Sequence, residues 1–232
     1  MRQFAQAERY LDRAISLQPD NPWPYKFEIS LYQYGYGDTQ RARQVIEEVS
    51  GRIDPQVFRG QLWRLDIDDR NYEQTLKEEV LGSDTLGYYF RKSWTYYFIK
   101  QPKPAQAYAD SARIFLQPLI KRDSLNPTWH GQLGLSYALF GRKKEAIRAG
   151  KKAVELRPVS RDAFSGSDIL ADLAAIYAVV GEHDAAIDQL AYLLSIPSLT
   201  TVHRLRLEPV WDPLREHPRF KELLAKYSGA QK

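Results

Sequence analysis

The chain has 232 residues, enough to bury a substantial core or to build a long repeat array. Its 33 Lys and Arg stand against 29 Asp and Glu, a formal charge of +4, and that near balance argues for a solvated surface rather than a nucleic-acid footprint. There is no Cys, so disulfides, thiolate metal sites and Cys nucleophiles are excluded, while the compartment is left open.

The first stretch, FAQAERYLDRAISLQPDNP, predicts a helix over 2–18. Ala7, Leu11 and Ala14 fall on one face at i, i+4 and i+7, and Pro19 cannot continue the turn. Arg2, Glu8, Arg9, Asp12 and Arg13 leave no room for the apolar core of a signal peptide. Helices follow over 22–36, 38–51, 55–68, 71–81, 84–99, 103–122, 127–140, 143–157, 166–180 and 183–195. Their boundaries are punctuated by PDNPWP, YGD, IDP, GSD, KQPKP, DSLNP, RPVS and GEH. PVSRDAFSGSD, 158–168, reads as an insertion between units. The most apolar run, ILADLAAIYAVV at 169–180, has 12 residues and contains Asp172, which is too short to cross a bilayer. The tail holds a short helix near 201–207, a WDPL turn and a last helix near 216–228.

A repeat underlies this series. Leu133, Tyr137, Gly141 and Ala146 recur as Leu173, Tyr177, Gly181 and Ala186, each 40 residues on. A small residue of each second helix serves as a ruler: Ala7, Ala42, Thr75, Ala109, Ala146 and Ala186 are 35, 33, 34, 37 and 40 residues apart. Ala107 would serve almost as well as Ala109. Two helices approach closely only where one presents little side chain at the crossing, which is the physical demand on these positions. By this register the opening helix is the second half of a two-helix unit. Its apolar stripe either packs on the following unit alone or belongs against a helix that a longer chain would supply; the second alternative is the expectation.

The pattern resembles the tetratricopeptide repeat, a helix–turn–helix unit of about 34 residues with the signature W-x2-L-G-x2-Y, A-x3-F, P. Residues 127–160 match at Leu133, Gly134, Tyr137, Ala146 and Pro158, and depart at His130 and Gly150. The following copy keeps Leu173, Ala174, Tyr177, Gly181 and Ala186, with Leu190 replacing the aromatic. LEPVWDPLREHPRFKELL is similar to the segment that closes the repeats of bacterial multidomain signalling proteins: kinases, nucleotide cyclases and transcriptional regulators. The resemblance implies an all-α fold, a right-handed α-solenoid of antiparallel helix pairs with a C-terminal helical cap. One domain would span 1–232, with repeats to 197 and the cap over 198–232. It also implies a non-catalytic protein-interaction or sensory scaffold that holds a peptide or partner domain in its concave groove.

Candidate sites were sought on that frame. GSDTLGYY, 82–89, has two Gly at phosphate-loop spacing, but Tyr88 and Tyr89 stand where Lys and Ser/Thr are needed, so it reads as a turn. His130, His183, His203 and His217 are too scattered to make a compact ligand pair, and no cofactor or metal is implied. Asp66, Asp68 and Asp69 read as a solvated helix end. YYFRKSWTYYFIK, 88–100, has seven aromatics in thirteen residues, more than one core face requires. Tyr88, Arg91, Lys92 and Trp94, with Arg59 and Arg64 from the preceding unit, are therefore candidate groove residues, since Arg and aromatics are common binding anchors. Such a groove would suit an extended peptide bearing acidic groups or a free carboxylate. The Lys and Asn of the carboxylate clamp of peptide-binding members are missing; first helices offer Gln132, Leu135, Ala138, Asp172, Ala175 and Val179 instead. Arg142, Lys143, Lys144, Arg148, Lys151 and Lys152 form a basic strip, read as a solvated outer face and, secondarily, as an acidic-surface contact. Docking of residues 2–18 on another copy, or on an effector domain of a longer chain as a regulatory module, is the alternative function, and nucleic-acid binding by the basic strip ranks below it.

Overall fold

A computed structural model describes residues 3–79 and 84–229, and every regular element among them is helical. In chain order these are α1 (Phe4–Leu17), α2 (Pro22–Ser30) running on into π-helical turns (Leu31–Tyr36), and α3 (Thr39–Val49). A 3-10 turn (Pro55–Phe58) leads into α4 (Arg59–Asp68), followed by α5 (Tyr72–Leu76), α6 (Thr85–Phe98) and α7 (Pro102–Arg122). Then come α8 (Pro127–Leu139), α9 (Lys143–Leu156), α10 (Ala163–Val179) and α11 (His183–Ser195). The tail contributes α12 (Val202–Leu207), a 3-10 segment (Pro209–Leu214) and α13 (Pro218–Ser228). No helix among the described residues is long and apolar enough to cross a membrane.

Local chemistry sets most of the starts. Side-chain oxygens of Asn21, Asp38, Asn126, Asp162 and Thr201 accept from backbone N–H groups of Trp23, Arg41, Thr128, Ser165 and Arg204 at 2.8–3.1 Å. Pro opens α2, α7, α8 and α13, where its missing N–H costs nothing. Gly141 and Gly181 end α8 and α10 with φ of 86° and 80°, a backbone that side chains disfavour and that lets the chain reverse into α9 and α11.

Two expected boundaries are corrected. The stretch 158–168 is not a long insertion: Asp162 caps a helix that already begins at Ala163. Gly166 fits there because a Cβ would stand 3.0 Å from the backbone of Pro158 and Val159. The helix expected over 71–81 is the single short α5, ending at Leu76; its last two residues, like Gly82 and Ser83 of the 82–89 stretch, lie outside the described residues. Arg2 of the opening helix also lies outside them.

Packing follows the chain. Helices α2 and α3, α4 and α5, α6 and α7, α8 and α9, and α10 and α11 touch as neighbours, and α2, α4, α6, α8 and α10 touch in series. The ruler residues Ala42, Ala109, Ala146 and Ala186 are completely buried, and Thr75 nearly so, whereas Ala107 is exposed, which settles the register of α7. Ala7 is only half-buried, and α1 as a whole contains no buried residue.

Apolar burial is concentrated in two places. One cluster joins Tyr25, Ile29, Ala42, Val45, Ile46, Val49, Phe58 and Leu65. The larger one joins α8, α10 and α11 to the tail through Leu135, Leu173, Ile176, Leu190, Leu193, Leu205, Trp211, Leu214 and Phe220. Burying each Leu, Ile or Phe contributes about 1.5–3 kcal/mol, so the tail is held by its own apolar residues.

The tail also reaches back to the first helices. Helix α12 packs on the π-helical turns 31–36, and Thr201 Oγ1 donates to the carbonyl of Tyr34. Arg70, in a left-handed conformation at the end of α4 (φ 61°), donates to the carbonyl of Leu207 at 2.8 Å and to Asp212 at 3.0 Å. Residues 201–214 therefore bridge elements more than 130 positions apart in sequence.

Candidate functional site

Between the series α4, α6, α8, α10 and the bridging segment lies a cavity of 380 Å³. Its walls come from Tyr34, Trp63, Arg64 and Asp68, from Phe90, Arg91, Trp94 and Phe98, from Gln132, Leu135, Asp172 and Ala175, and from Arg204, Glu208 and Trp211. Helical geometry explains the selection. Residues three or four apart share a face, so Arg64 with Asp68, Phe90 with Trp94 and Phe98, and Asp172 with Ala175 look the same way.

The aromatic walls are fixed. Trp63 donates its indole N–H to Thr95 Oγ1 at 3.1 Å, and Trp211 donates to Glu208 Oε2 at 2.9 Å. Trp94 stacks on Phe98 with centroids 5.4 Å apart. Arg204 donates to Glu208 Oε1 at 2.9 Å and lies 5.1 Å over the Tyr34 ring. Burial works against the Arg204 charge, but Glu208 and its neighbours outweigh it and hold the pKa above the usual value.

Several polar groups are not satisfied. The Tyr34 hydroxyl and Gln132 Oε1 are buried without a hydrogen-bond partner among the described residues. Asp172 has neither a hydrogen bond nor an ion pair there, and burial, reinforced by Asp168, pushes its carboxyl up to about 7. Asp68 accepts from Gln33 Nε2 at 2.7 Å, yet burial and then Glu208 bring it to about 7 as well. Asp168 is also raised, again by burial. Unpaired buried polar groups are costly, and they gather where a ligand completes the set.

Of the six groove candidates, Arg64, Arg91 and Trp94 line the cavity, and Arg59, Tyr88 and Lys92 do not. Arg91 is already engaged. Its guanidinium holds Glu78 at 2.6–3.0 Å and Asp84 at 2.8 Å, tying α6 to the end of α5. Lys92 is 4% exposed and donates to the Leu76 carbonyl at 2.6 Å; burial lowers its pKa. Tyr88 belongs to a ring cluster with Tyr89 and Tyr108 on the α7 side. Arg59 approaches Asp84 at 3.8 Å. Arg64 alone among these cations has no partner among the described residues.

The basic strip lies on α9 and its approach. Arg142, Lys143, Lys144, Arg148, Lys151 and Lys152 are all exposed. Lys143 pairs with Glu182 at 2.6 Å, Lys152 with Glu155 at 3.6 Å and Arg142 with Glu145 at 3.8 Å, weak interactions at a solvated surface. The Asp66, Asp68 and Asp69 cluster is corrected from a solvated end to a structural one. Asp66 and Asp68 are buried, and Arg43 bridges Asp66 at 2.9 Å and Asp69 at 2.8 Å. No group of three His, Cys, Asp or Glu among the described residues is placed to hold a metal ion.

Sequence reasoning set aside Gln132, Leu135, Asp172 and Ala175 as substitutes for an absent clamp; all four line the cavity. It missed Arg204, Glu208 and Trp211, because a tail that covers the last helices gives no local sign that it also reaches the first ones. It missed Tyr34 because nothing in the local pattern marks its hydroxyl as unpaired. In comparisons with known proteins, no family model matches the chain and no curated protein matches it.

Proposed function

We propose that the chain is a non-catalytic binding module of tetratricopeptide type, a right-handed solenoid whose first helices form a concave face. The spacing of the buried small residues and the serial contacts of α2, α4, α6, α8 and α10 support this reading. The occupant of the concave face is a small organic molecule or a single projecting group. One observation supports this. Residues 201–214 close the space beside α4, α6, α8 and α10 to a cavity of 380 Å³, the size of a metabolite site and too small for an extended peptide. Ala175→Trp fills the chamber from α10. In a thermal-shift screen of metabolite-sized compounds, hits that stabilise the wild type and lose their effect in Ala175→Trp support the reading. A screen in which no hit depends on this position refutes it.

A second reading is self-association through α1. It rests on the exposure of Tyr10 (66%) and Leu17 (72%) on a helix with nothing buried. Sedimentation of the wild type and of Tyr10→Glu/Leu17→Glu separates the two: a concentration-dependent dimer that the double variant abolishes favours association, and a monomer in both rejects it.

A further inference from the structure

We propose that the chamber bounded by α4, α6, α8, α10 and residues 201–214 takes an organic cation, an amine or guanidine carried on a compact apolar body. This rests on the reading of the chamber as a ligand site and adds the sign of the ligand's charge.

The argument begins with what each charged group is already doing. Arg91 is consumed by Glu78 and Asp84, and Arg204 by Glu208. Arg70 is turned outward to Asp212. The charged groups acting on Asp172 are then Asp168 on its own helix, Arg64 from α4, and the Arg204–Glu208 pair from the tail; α8 presents only the neutral Gln132. The pair does not cancel at Asp172, where Arg204 acts more strongly than Glu208, so Arg64 and part of the Arg204 charge oppose the carboxyls of Asp168 and Asp172. Asp68 stands beside them, its one hydrogen bond among the described residues coming from the neutral Gln33 amide. Among the side chains that line the chamber Arg91 and Arg204 are paired, so the carboxyls of Asp68 and Asp172, which have no ion pair among the described residues, stand against the single guanidinium of Arg64. Arg64 is an exposed residue, so much of its charge is spent on water.

The second line is independent of charge. Tyr34 is 5% exposed, and its hydroxyl borders the chamber without a partner among the described residues. Gln132 Oε1 and the Asp172 carboxylate are acceptors without a partner among the described residues, on the facing helices α8 and α10. Acceptors without donors call for N–H groups, which ammonium and guanidinium supply and a quaternary ammonium does not. Trp63, Trp94 and Trp211 give π faces that attract a cation, and burial of the surroundings strengthens that attraction. Gly131 leaves room for the carboxylate: a Cβ there would sit 3.3 Å from Asp172 Oδ2.

The test uses opposite-charge probes of similar shape, phenethylamine and phenylacetate, with agmatine as the guanidine. Binding to the full chain is followed by tryptophan fluorescence and by calorimetry at pH 8. Phenethylamine or agmatine is expected to bind saturably and phenylacetate not to. Asp172→Asn is expected to weaken the cation at least about tenfold, while Asp188→Asn on the outer side of α11 leaves it unchanged. Lowering the pH from 8 to 6 protonates Asp172 and Asp68, and is expected to weaken binding more in the wild type than in Asp172→Asn, where Asp68 still titrates. Binding of phenylacetate that Ala175→Trp blocks would overturn the cation assignment while keeping the chamber as a ligand site. Cation binding unaffected by both Asp172→Asn and Ala175→Trp would place the cation elsewhere and overturn the proposal. No binding of any probe at millimolar concentration overturns it as well.

Discussion

Asp172→Asn isolates the energetic consequence of placing a carboxyl in the chamber wall. The side chains have nearly the same shape, so the change removes a titration and little else. In the unfolded chain the carboxyl titrates at its ordinary value of 3.8; in the folded protein burial moves it to about 7. The sign follows from proton counting. Between those values the folded state holds a proton that the unfolded state has released, so stability falls as pH rises, and above about 7 the loss is complete. Each pH unit in that window is worth about 1.4 kcal/mol, which sets a ceiling of about 4 kcal/mol. Asp172 is not completely shielded from solvent, which screens part of the charge, and about 2 kcal/mol is the expected size. Equilibrium urea unfolding of the wild type and Asp172→Asn at pH 5, 6, 7 and 8 reads this directly. The stability of Asp172→Asn relative to wild type should grow through pH 5–7 and then level. Asp68 and Asp168 titrate in both proteins, so most of their effect cancels in the difference. A difference that stays flat, or shrinks with pH, refutes the account of Asp172 as a desolvated, unpaired carboxyl.

Three further outcomes test the packing. Gly134→Val brings a Cβ to 2.6 Å from Ile176 Cδ1, 3.0 Å from the Gly150 nitrogen and 3.1 Å from the Ala146 carbonyl; two of these are backbone and cannot swing aside. A loss of about 1–3 kcal/mol in chemical denaturation is expected. Trp211→Ala removes a ring that is 2% exposed from between α10 and the tail and should cost about 3–5 kcal/mol, whereas Trp23→Ala, on a residue 62% exposed, should change stability little. Arg70→Ala removes the ties to Leu207 and Asp212; amide exchange should quicken across 201–214 while global stability changes by about 1 kcal/mol or less.

The expected peptide groove and the chamber differ for one reason. An aromatic run with Arg91 and Lys92 looks like a set of anchors when read along the chain. In space, Arg91 and Lys92 are structural ties that fasten α6 to α5, through Glu78 and the Leu76 carbonyl. A buried cation needs its charge or hydrogen bonds answered, and these two are answered inside the protein before any ligand arrives. Trp94 differs because a ring can pack against Phe98 and still leave its surroundings open to a guest.

What the sequence determined by itself is the helical content, most of the turns and the register of small residues. These follow from rules that act within a few residues: the 3.6-residue period, side-chain caps, Pro at helix starts, Gly at positive φ. Ala42, Thr75, Ala109, Ala146 and Ala186 could be picked out along the chain because a helix crossing needs a small residue wherever the repeat brings two helices together. Only the tertiary structure decided which polar groups are left unpaired. Tyr34, Arg64, Gln132 and Asp172 come from four distant stretches, and whether a charge is answered depends on what the fold sets beside it. It also decided that residues 201–214 reach back to the first helices, since the ties from Arg70 and Tyr34 to that segment join groups more than 130 positions apart, and no local rule reaches so far.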